Sequence, residues 1–122
     1  MNIEVYTQEP RIILKEFYDL PTPDIGTVST PAENIEFTLL DNGGKNLMGA
    51  TTVWLVVKIL TIKLSSDAKA ILLSVLANII FEGVKKLSKP ILKIDDKVVT
   101  VNKEHIELAI KAYIREKNDE EE

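Results

Sequence analysis

The fold of this 122-residue chain depends on one stretch, Thr51 to Leu64, with the sequence TTVWLVVKILTIKL. Eight of its fourteen residues are β-branched, and Lys58 and Lys63 carry its only charges. Such composition favours strands, and an unbroken apolar run is typical of a strand covered on both faces. We interpret this run as a buried strand, with a buried helix and a membrane segment as the alternatives. The two lysines argue against a membrane span, which needs about 20 apolar residues.

A long amphipathic helix is predicted after this run, near residues 66–88. Ser66 offers an N-cap hydroxyl, Asp67 suits the positive end of a helix, and Pro90 stops it. Polar residues trace one face: Asp67, Ser74, Asn78, Lys85 and Lys89. The predicted core face consists of Ile71, Leu72, Val75, Leu76, Ile79, Ile80, Val84 and Leu87.

A tight hairpin and a second helix are predicted to follow. Strands at 91–94 and 97–101 flank Asp95 and Asp96, and a two-residue loop favours a hairpin in which Leu92 lies opposite Val99. Asn102 is the expected N-cap of a helix near 103–117. Its apolar stripe would be Ile106, Ala109, Ile110, Tyr113 and Ile114, with Glu107 and Lys111 as a favourable i,i+4 pair.

The N-terminal third predicts strands and a proline-rich connection. Ile3, Val5 and Thr7 alternate with polar residues, as do Ile35, Phe37 and Leu39, so each set indicates a half-buried strand. Residues 11–20 (RIILKEFYDL) have no clean period, and we favour a second strand there over a short helix. The connection contains Pro21, Pro23, Gly26 and Pro31, which exclude regular helix.

These elements predict an α+β fold with the order β-β-β-β-α-β-β-α. Residues 1–117 form one domain in this interpretation, and residues 118–122 form an acidic disordered tail. One mixed sheet with helices packed against it is the natural arrangement. The strand, long helix and next strand would form a right-handed crossover if the two strands are parallel.

Composition excludes several classes of chemistry. The chain has no cysteine, which rules out disulfides, a thiolate nucleophile and cysteine-ligated metal. The net charge is −4, and the four acidic residues of 118–122 account for all of it. No global field therefore suggests nucleic acid. No secretory signal is visible, and we expect a cytoplasmic protein.

No residue constellation indicates catalysis, a metal or a cofactor. His105 is the only histidine and stands near a helix start, so we expect a surface or capping role. Asp95 and Asp96 are interpreted as turn formers, and residues 42–45 (NGGK) as a connector without phosphate-loop spacing. The lysines at 85, 86, 89, 93 and 97 have no aromatic residue among them, and Trp54 and Phe81 are predicted to be core.

The order of motifs over 48–114 resembles a known family. It comprises Met48-Gly49, the VWLVV strand, the helix with Leu72, Leu73, Leu76 and Val84, the hairpin LKIDDKVVTVN and a final short helix. In these features the chain resembles the effector-associated constant component adaptor domains of bacterial conflict systems. The resemblance implies a small non-enzymatic adaptor that couples a sensor or NTPase to an effector, and it carries over no catalytic residue.

We therefore expect a small protein-interaction module, an adaptor or accessory component in bacterial defence. Its partner would be a protein or a second copy bound through a sheet edge, and the loop 21–31 and the acidic tail offer further surfaces. A toxin-neutralising immunity protein is the alternative. A lesser alternative is a membrane-inserting effector in which 47–62 and 71–84 form two hydrophobic helices.

Overall fold

Three helices pack on one face of a six-stranded antiparallel sheet in the computed structural model, which describes residues 1–20, 22–42, 51–59 and 66–121. The elements in chain order are β1 (Asn2–Thr7), α1 (Pro10–Tyr18), β2 (Val28–Ala32), β3 (Ile35–Asn42), β4 (Thr51–Ile59), α2 (Ser66–Val84), β5 (Ile91–Ile94), β6 (Lys97–Val99) and α3 (Lys103–Glu121). The predicted α+β class is confirmed.

The strands lie in the order β2-β3-β4-β1-β5-β6, and every neighbouring pair is antiparallel. The predicted mixed sheet is therefore wrong. β4 and β5 do run in the same direction, but β1 lies between them and is antiparallel to both. The first strand of the chain thus occupies a central position, where Ile3 and Val5 are fully buried. Sequence order alone gave no sign of this insertion.

The decisive run is a strand, as predicted, over its described part Thr51–Ile59. Residues 60–64 lie outside the described residues. Val53, Leu55 and Val57 are buried, and Val53 and Leu55 pair with Val5 and Ile3 of β1. Because residues 51–59 form a strand, the lesser alternative of a membrane-inserting hairpin with a helix over 47–62 is wrong. Among the described helices, none is both long and apolar enough to cross a membrane.

The second element is a helix, so the strand favoured over 11–20 is wrong. Pro10 occupies the first turn of α1, where its missing N–H costs nothing. Ile13, Leu14 and Phe17 are buried at helical spacing. Asp19 ends the helix in the left-handed conformation (φ 56°), and its N–H donates to the Lys15 carbonyl at 2.8 Å.

The proline-rich connection contains a strand that the sequence did not predict. β2 pairs with β3 at the edge of the sheet, and its register shifts between Ser29 and Ala32. An edge strand tolerates Pro31 because one side of it has no ladder to complete. The Ser29 hydroxyl donates to the Phe17 carbonyl at 2.8 Å, which fastens this strand to α1.

Helix α2 begins at Ser66 as predicted but ends at Val84, before the predicted residue 88. Two of its predicted core residues, Ile71 and Val75, are exposed, and Ile71 is 66% accessible. Leu76, Ile80, Val84 and Leu87 are buried as predicted, and Leu73 and Ala77 are buried with them. This helix is apolar on most sides, so its periodicity did not identify the face that meets the sheet.

The C-terminal elements largely confirm their predictions. Leu92 pairs with Val99 and Ile94 with Lys97 across the predicted hairpin. The Asn102 Oδ1 accepts the Glu104 backbone N–H at 2.8 Å and caps α3. Helix α3 continues to Glu121, where a disordered acidic tail was predicted from residue 118. The segment lacks glycine and proline and is rich in good helix formers, which explains its continuation.

Candidate interaction site on the open face of the sheet

The two faces of the sheet differ because the described helices α1, α2 and α3 cover only one of them. On the covered face, inward residues of β1, β3, β4 and β5 join the helices in a single core. The alternate residues of the same strands point the other way. These alternate residues, all half-buried or exposed, form what we call the open face: Asn2, Glu4, Tyr6, Val28, Glu36, Thr38, Asp41, Thr52, Trp54, Val56, Lys58, Ile91, Lys93 and Val98.

Trp54 occupies the middle of the open face. It lies on β4 opposite Glu4 of β1 and opposite Asp41 of β3. A bulge between Leu39 and Asp41 brings Asp41 into this row, since without the extra residue the alternation would direct Asp41 to the covered face. Lys93 and Val98 continue the row across β5 and β6. One line of neighbouring strands thus presents an indole between two carboxylates.

The open face carries further accessible apolar side chains, most of them two or three strands away from Trp54. Trp54 itself is 38% accessible, Ile91 51% and Val98 69%. Val28 on β2 is also exposed, and Val56 is half-buried. An accessible tryptophan among polar neighbours is typical of protein interfaces, which are enriched in aromatic residues. Trp54 was predicted to be core, and its position on the open face corrects that prediction.

Tyr6 and its neighbours form a polar cluster beside Trp54. The Tyr6 hydroxyl donates to Glu4 Oε2 at 3.1 Å, since both side chains leave the same face of β1. The Lys93 ammonium lies 5.1 Å from the centroid of the Tyr6 ring, which is cation–π geometry. Tyr6, Glu4 and Lys93 are all half-buried, so these interactions are only partly screened by water.

The outer edges of the sheet are poorly suited to extension. β2 carries Pro31 and an irregular register, and both features disturb a regular ladder. β6 has only three residues, Lys97, Val98 and Val99. Short strands, prolines and lysines are the usual means by which proteins discourage edge pairing. The open face therefore offers a broader surface than either edge.

The residues singled out by chemistry in the sequence do not form one site. His105 is exposed in the first turn of α3, where its backbone N–H lies 3.4 Å from the Asn102 Oδ1. Asp95 and Asp96 form the hairpin turn with positive φ angles of 48° and 67°. Of the 42–45 segment, Asn42 ends β3 and the rest lies outside the described residues.

The lysines near the end of α2 have separate partners. Lys85 pairs with Glu82 at 2.8 Å and lies over the half-buried Phe81 ring, which packs against the core. Lys86 pairs with Glu16 of α1 at 2.6 Å. These contacts neutralise much of the local charge and do not produce a continuous basic patch. The described lysines thus give no support to a nucleic-acid surface.

Sequence reasoning missed Trp54, Tyr6 and Glu4 as site residues. A signal was present in β4: on one side of the strand, Val53, Leu55 and Val57 are apolar in succession. The other side of the strand carries Thr52, Trp54, Val56 and Lys58. Two polar residues on one side of a strand indicate that this side faces solvent, whereas a strand buried on both faces has few polar residues.

Tyr18 is a buried polar residue away from the open face. Its ring joins the core, and within the described ranges its hydroxyl has no hydrogen-bond partner. Burial raises the pKa of this hydroxyl above its ordinary value of about 10. Tyr18 at the C-terminal end of α1 is thus a neutral, structural residue. Burial of a hydroxyl without a hydrogen-bond partner lowers the free energy of unfolding.

Comparisons with other proteins give no assignment for this arrangement. No protein-family model matches the chain, and neither the curated proteins nor the solved structures contain a match. Over the described ranges 1–20, 22–42, 51–59 and 66–121, no three His, Asp or Glu side chains group as metal ligands would. The open face is therefore the candidate functional site.

Proposed function

We propose that this chain is a small non-enzymatic protein-interaction module, an adaptor or accessory component, that binds its partner with the open face of the sheet. The observation that carries the proposal is the exposed Trp54 on the face without helices. Aromatic residues supply much of the energy at protein interfaces, above all near the centre of a patch. Ile91 and Val98 add accessible apolar surface two and three strands away, and charged residues lie next to Trp54.

The charges of the open face favour a protein over nucleic acid. Glu4, Glu36 and Asp41 stand against Lys58 and Lys93, so the face is mixed with a slight negative excess. Proteins that stack single-stranded nucleic acid on a sheet combine aromatic residues with a positively charged groove. A mixed face of this kind suits a protein surface of complementary charge.

Pairing at a sheet edge is a second route to a partner or to a homo-oligomer. We place it at β6, because β2 carries Pro31 and a bulge. Val98 lies on β6 and belongs to the open face as well, so a partner strand added there would extend the same surface.

The biological setting of the proposal comes from the sequence. The resemblance of residues 48–114 to adaptor domains supports a cytoplasmic role in a bacterial conflict system. In that role the chain would connect a sensor or NTPase to an effector. Nearby genes for an NTPase or a protease would agree with it.

A toxin-neutralising immunity protein is the second candidate. The feature that favours it is the pair of carboxylates, Glu4 and Asp41, on either side of Trp54. Such a patch would match a basic toxin surface. A toxin gene next to this gene, together with rescue of cells that express the toxin, would distinguish the two candidates.

Affinity capture with matched variants tests the proposal. The chain, its Trp54→Ser variant and its Ile71→Ser variant would serve as bait in extracts of the native host. Ile71 is the control because it is an exposed apolar residue on α2, away from the open face. We expect a specific partner with the chain and with Ile71→Ser, and a loss of about 2 kcal/mol of binding energy with Trp54→Ser.

The capture has clear contrary outcomes. If Ile71→Ser abolishes partner binding while Trp54→Ser retains it, and circular dichroism shows both variants folded, the binding surface is on the helices. A chain that stays alone and turns over a small metabolite would contradict the interaction-module proposal as a whole.

A further inference from the structure

We infer that Glu4, Tyr6 and Trp54, called here the aromatic–acid cluster, form a binding site for the guanidinium group of an arginine in a partner protein. This inference rests on the proposed function and adds the chemistry of the ligand. Two aromatic rings beside a carboxylate provide the groups that hold a planar cation: π-faces for stacking and oxygens for hydrogen bonds.

Backbone register brings the three residues of the cluster together. Glu4 pairs directly with Trp54 across β1 and β4. Tyr6 lies two residues along β1, on the same face, and pairs with Thr52. Tyr6 and Trp54 are therefore diagonal neighbours, at about 7–8 Å, a separation that aromatic side chains can bridge. The cluster sits on two central strands and so has a rigid base.

The Glu4 carboxylate is held in place but not neutralised. Its Oε2 accepts the Tyr6 hydroxyl at 3.1 Å. Lys93 is its direct neighbour on β5, yet the Lys93 ammonium lies over the Tyr6 ring and forms no ion pair with Glu4. In the described part of the chain, Glu4 has no cationic partner within 4.0 Å. A half-buried carboxylate of this kind favours a cation supplied from outside.

The Lys93 contact shows that this surface accepts cations. Its ammonium lies 5.1 Å from the Tyr6 centroid, within the range at which an aromatic face attracts a positive charge. Lys93 thus covers the Tyr6 ring at the edge of the cluster. An arginine from a partner would use the Glu4 oxygens and the indole of Trp54, which Lys93 leaves uncovered because it is two strands away from β4.

Guanidinium fits this arrangement better than ammonium. It is planar, donates two parallel hydrogen bonds to one carboxylate and stacks on indole, whereas ammonium is a compact, strongly hydrated charge. The occupant we propose is accordingly an arginine in a basic protein segment.

Three blocked seven-residue peptides test the inference with the intact chain. Each contains glycine and serine, with arginine, lysine or citrulline at the centre, and citrulline keeps the shape of arginine without its charge. Trp54 is the only tryptophan, so its indole N–H resonance and its fluorescence report on the cluster directly. We expect saturable shifts with a Kd of about 1 mM for the arginine peptide, weaker binding for lysine and none for citrulline.

Two carboxylate variants separate a site from general attraction. Glu4→Gln should weaken binding of the arginine peptide about tenfold, because it removes the charged acceptor and keeps the shape. Glu36→Gln is the matched control: it removes the same charge from the open face, opposite Lys58. It should change the affinity less than about twofold. Lys93→Gln should tighten binding about threefold, since it uncovers the Tyr6 ring and removes a nearby positive charge that repels arginine.

Equal binding of arginine and citrulline peptides, or equal losses in Glu4→Gln and Glu36→Gln, would overturn the inference. Equal binding of lysine and arginine would overturn the guanidinium preference. Failure of the inference is distinguishable from failure of the proposed function. If only the inference fails, Trp54→Ser still reduces capture of the partner but Glu4→Gln does not. If the proposed function fails, neither substitution changes capture.

Discussion

The same strands form both faces of the sheet. Residues of the covered face must pack against the helices, whereas residues of the open face need not. On β4, Val53 and Leu55 are fully buried under the helices, while Trp54 between them remains accessible. Burial of the first set supplies the hydrophobic free energy that holds the fold. The second set adds little to the core, so its side chains can serve recognition. Alternation along one strand thus separates stability from binding.

The largest expected difference between the faces comes from neighbouring substitutions on β4. Leu55→Ala creates a cavity in the core and should lower the free energy of unfolding by about 2–5 kcal/mol. Trp54→Ser, one residue earlier, should lower it by only about 1–2 kcal/mol, because the indole is partly solvated already. Urea denaturation of both variants measures the contrast.

A loss of more than 2 kcal/mol in Trp54→Ser would remove the distinction between the faces. The Ile71→Ser variant serves as control here too, because an exposed apolar residue on a helix should be nearly neutral.

The next effect concerns the packing of α1 on α2 above the covered face. A Cβ at Gly83 would come within 2.7 Å of the Phe17 ring. That ring also packs edge-on against Phe37, with centroids 5.2 Å apart, so it has little room to move. Gly83→Ala should therefore destabilise the fold by about 1–2 kcal/mol, despite the better helix propensity of alanine.

Thermal unfolding of a double-mutant cycle checks this interpretation. Phe17→Leu removes the ring, so Gly83→Ala should be neutral or stabilising in that background. If Gly83→Ala costs the same in both backgrounds, the contact with Phe17 is not the cause.

Where a single periodic signal was present, the sequence predicted the elements. β1, β3, β4, the β5–β6 register and the Asn102 cap agree with the structure. Short local rules decide these features: alternation, a two-residue turn and a capping side chain. α1 was predicted as a strand although Pro10 and the spacing of Ile13 and Phe17 indicate a helix. The signal for a helix is thus present in the sequence.

Features that depend on tertiary packing were not predictable in the same way. The insertion of β1 between β4 and β5 follows from contacts far apart in the chain. α2 is apolar on most sides, so the burial of Leu73 in place of Ile71 depends on how α2 meets its neighbours. The candidate site has the same origin. Trp54, Glu4 and Tyr6 come from two strands separated by most of the N-terminal half.

A smaller effect is expected on the covered side from Tyr18. Its hydroxyl is buried without a partner among the described residues, which costs free energy that folding must offset. Tyr18→Phe removes the hydroxyl, keeps the ring and should raise the free energy of unfolding by about 1 kcal/mol. Chemical denaturation at neutral pH measures this gain, and a loss of stability would show that the hydroxyl has a partner.

The stability gained by Tyr18→Phe is also expected to depend on pH in the alkaline range. Burial raises the pKa of Tyr18 in the folded state, whereas in the unfolded chain the hydroxyl ionises near pH 10. Above pH 10 the unfolded state therefore gains stability by releasing a proton that the folded state retains. The advantage of Tyr18→Phe over the natural chain should grow as the pH rises past 10, and should be constant below pH 9.

The smallest expected effect is at the hairpin turn, which belongs to neither face. Asp95 and Asp96 both have positive φ, a conformation that costs less for glycine than for aspartate. They differ in one contact: Asp95 Oδ1 accepts the Asn2 N–H at 2.9 Å, which ties the turn to β1. Asp96→Gly should thus stabilise the fold by about 0.5 kcal/mol, whereas Asp95→Gly should gain nothing because it also loses this hydrogen bond. Thermal unfolding of the two variants in parallel measures the difference. Equal gains would mean that the Asp95 side chain contributes nothing to the position of β1, and with it to the alignment of Glu4 and Tyr6 beside Trp54.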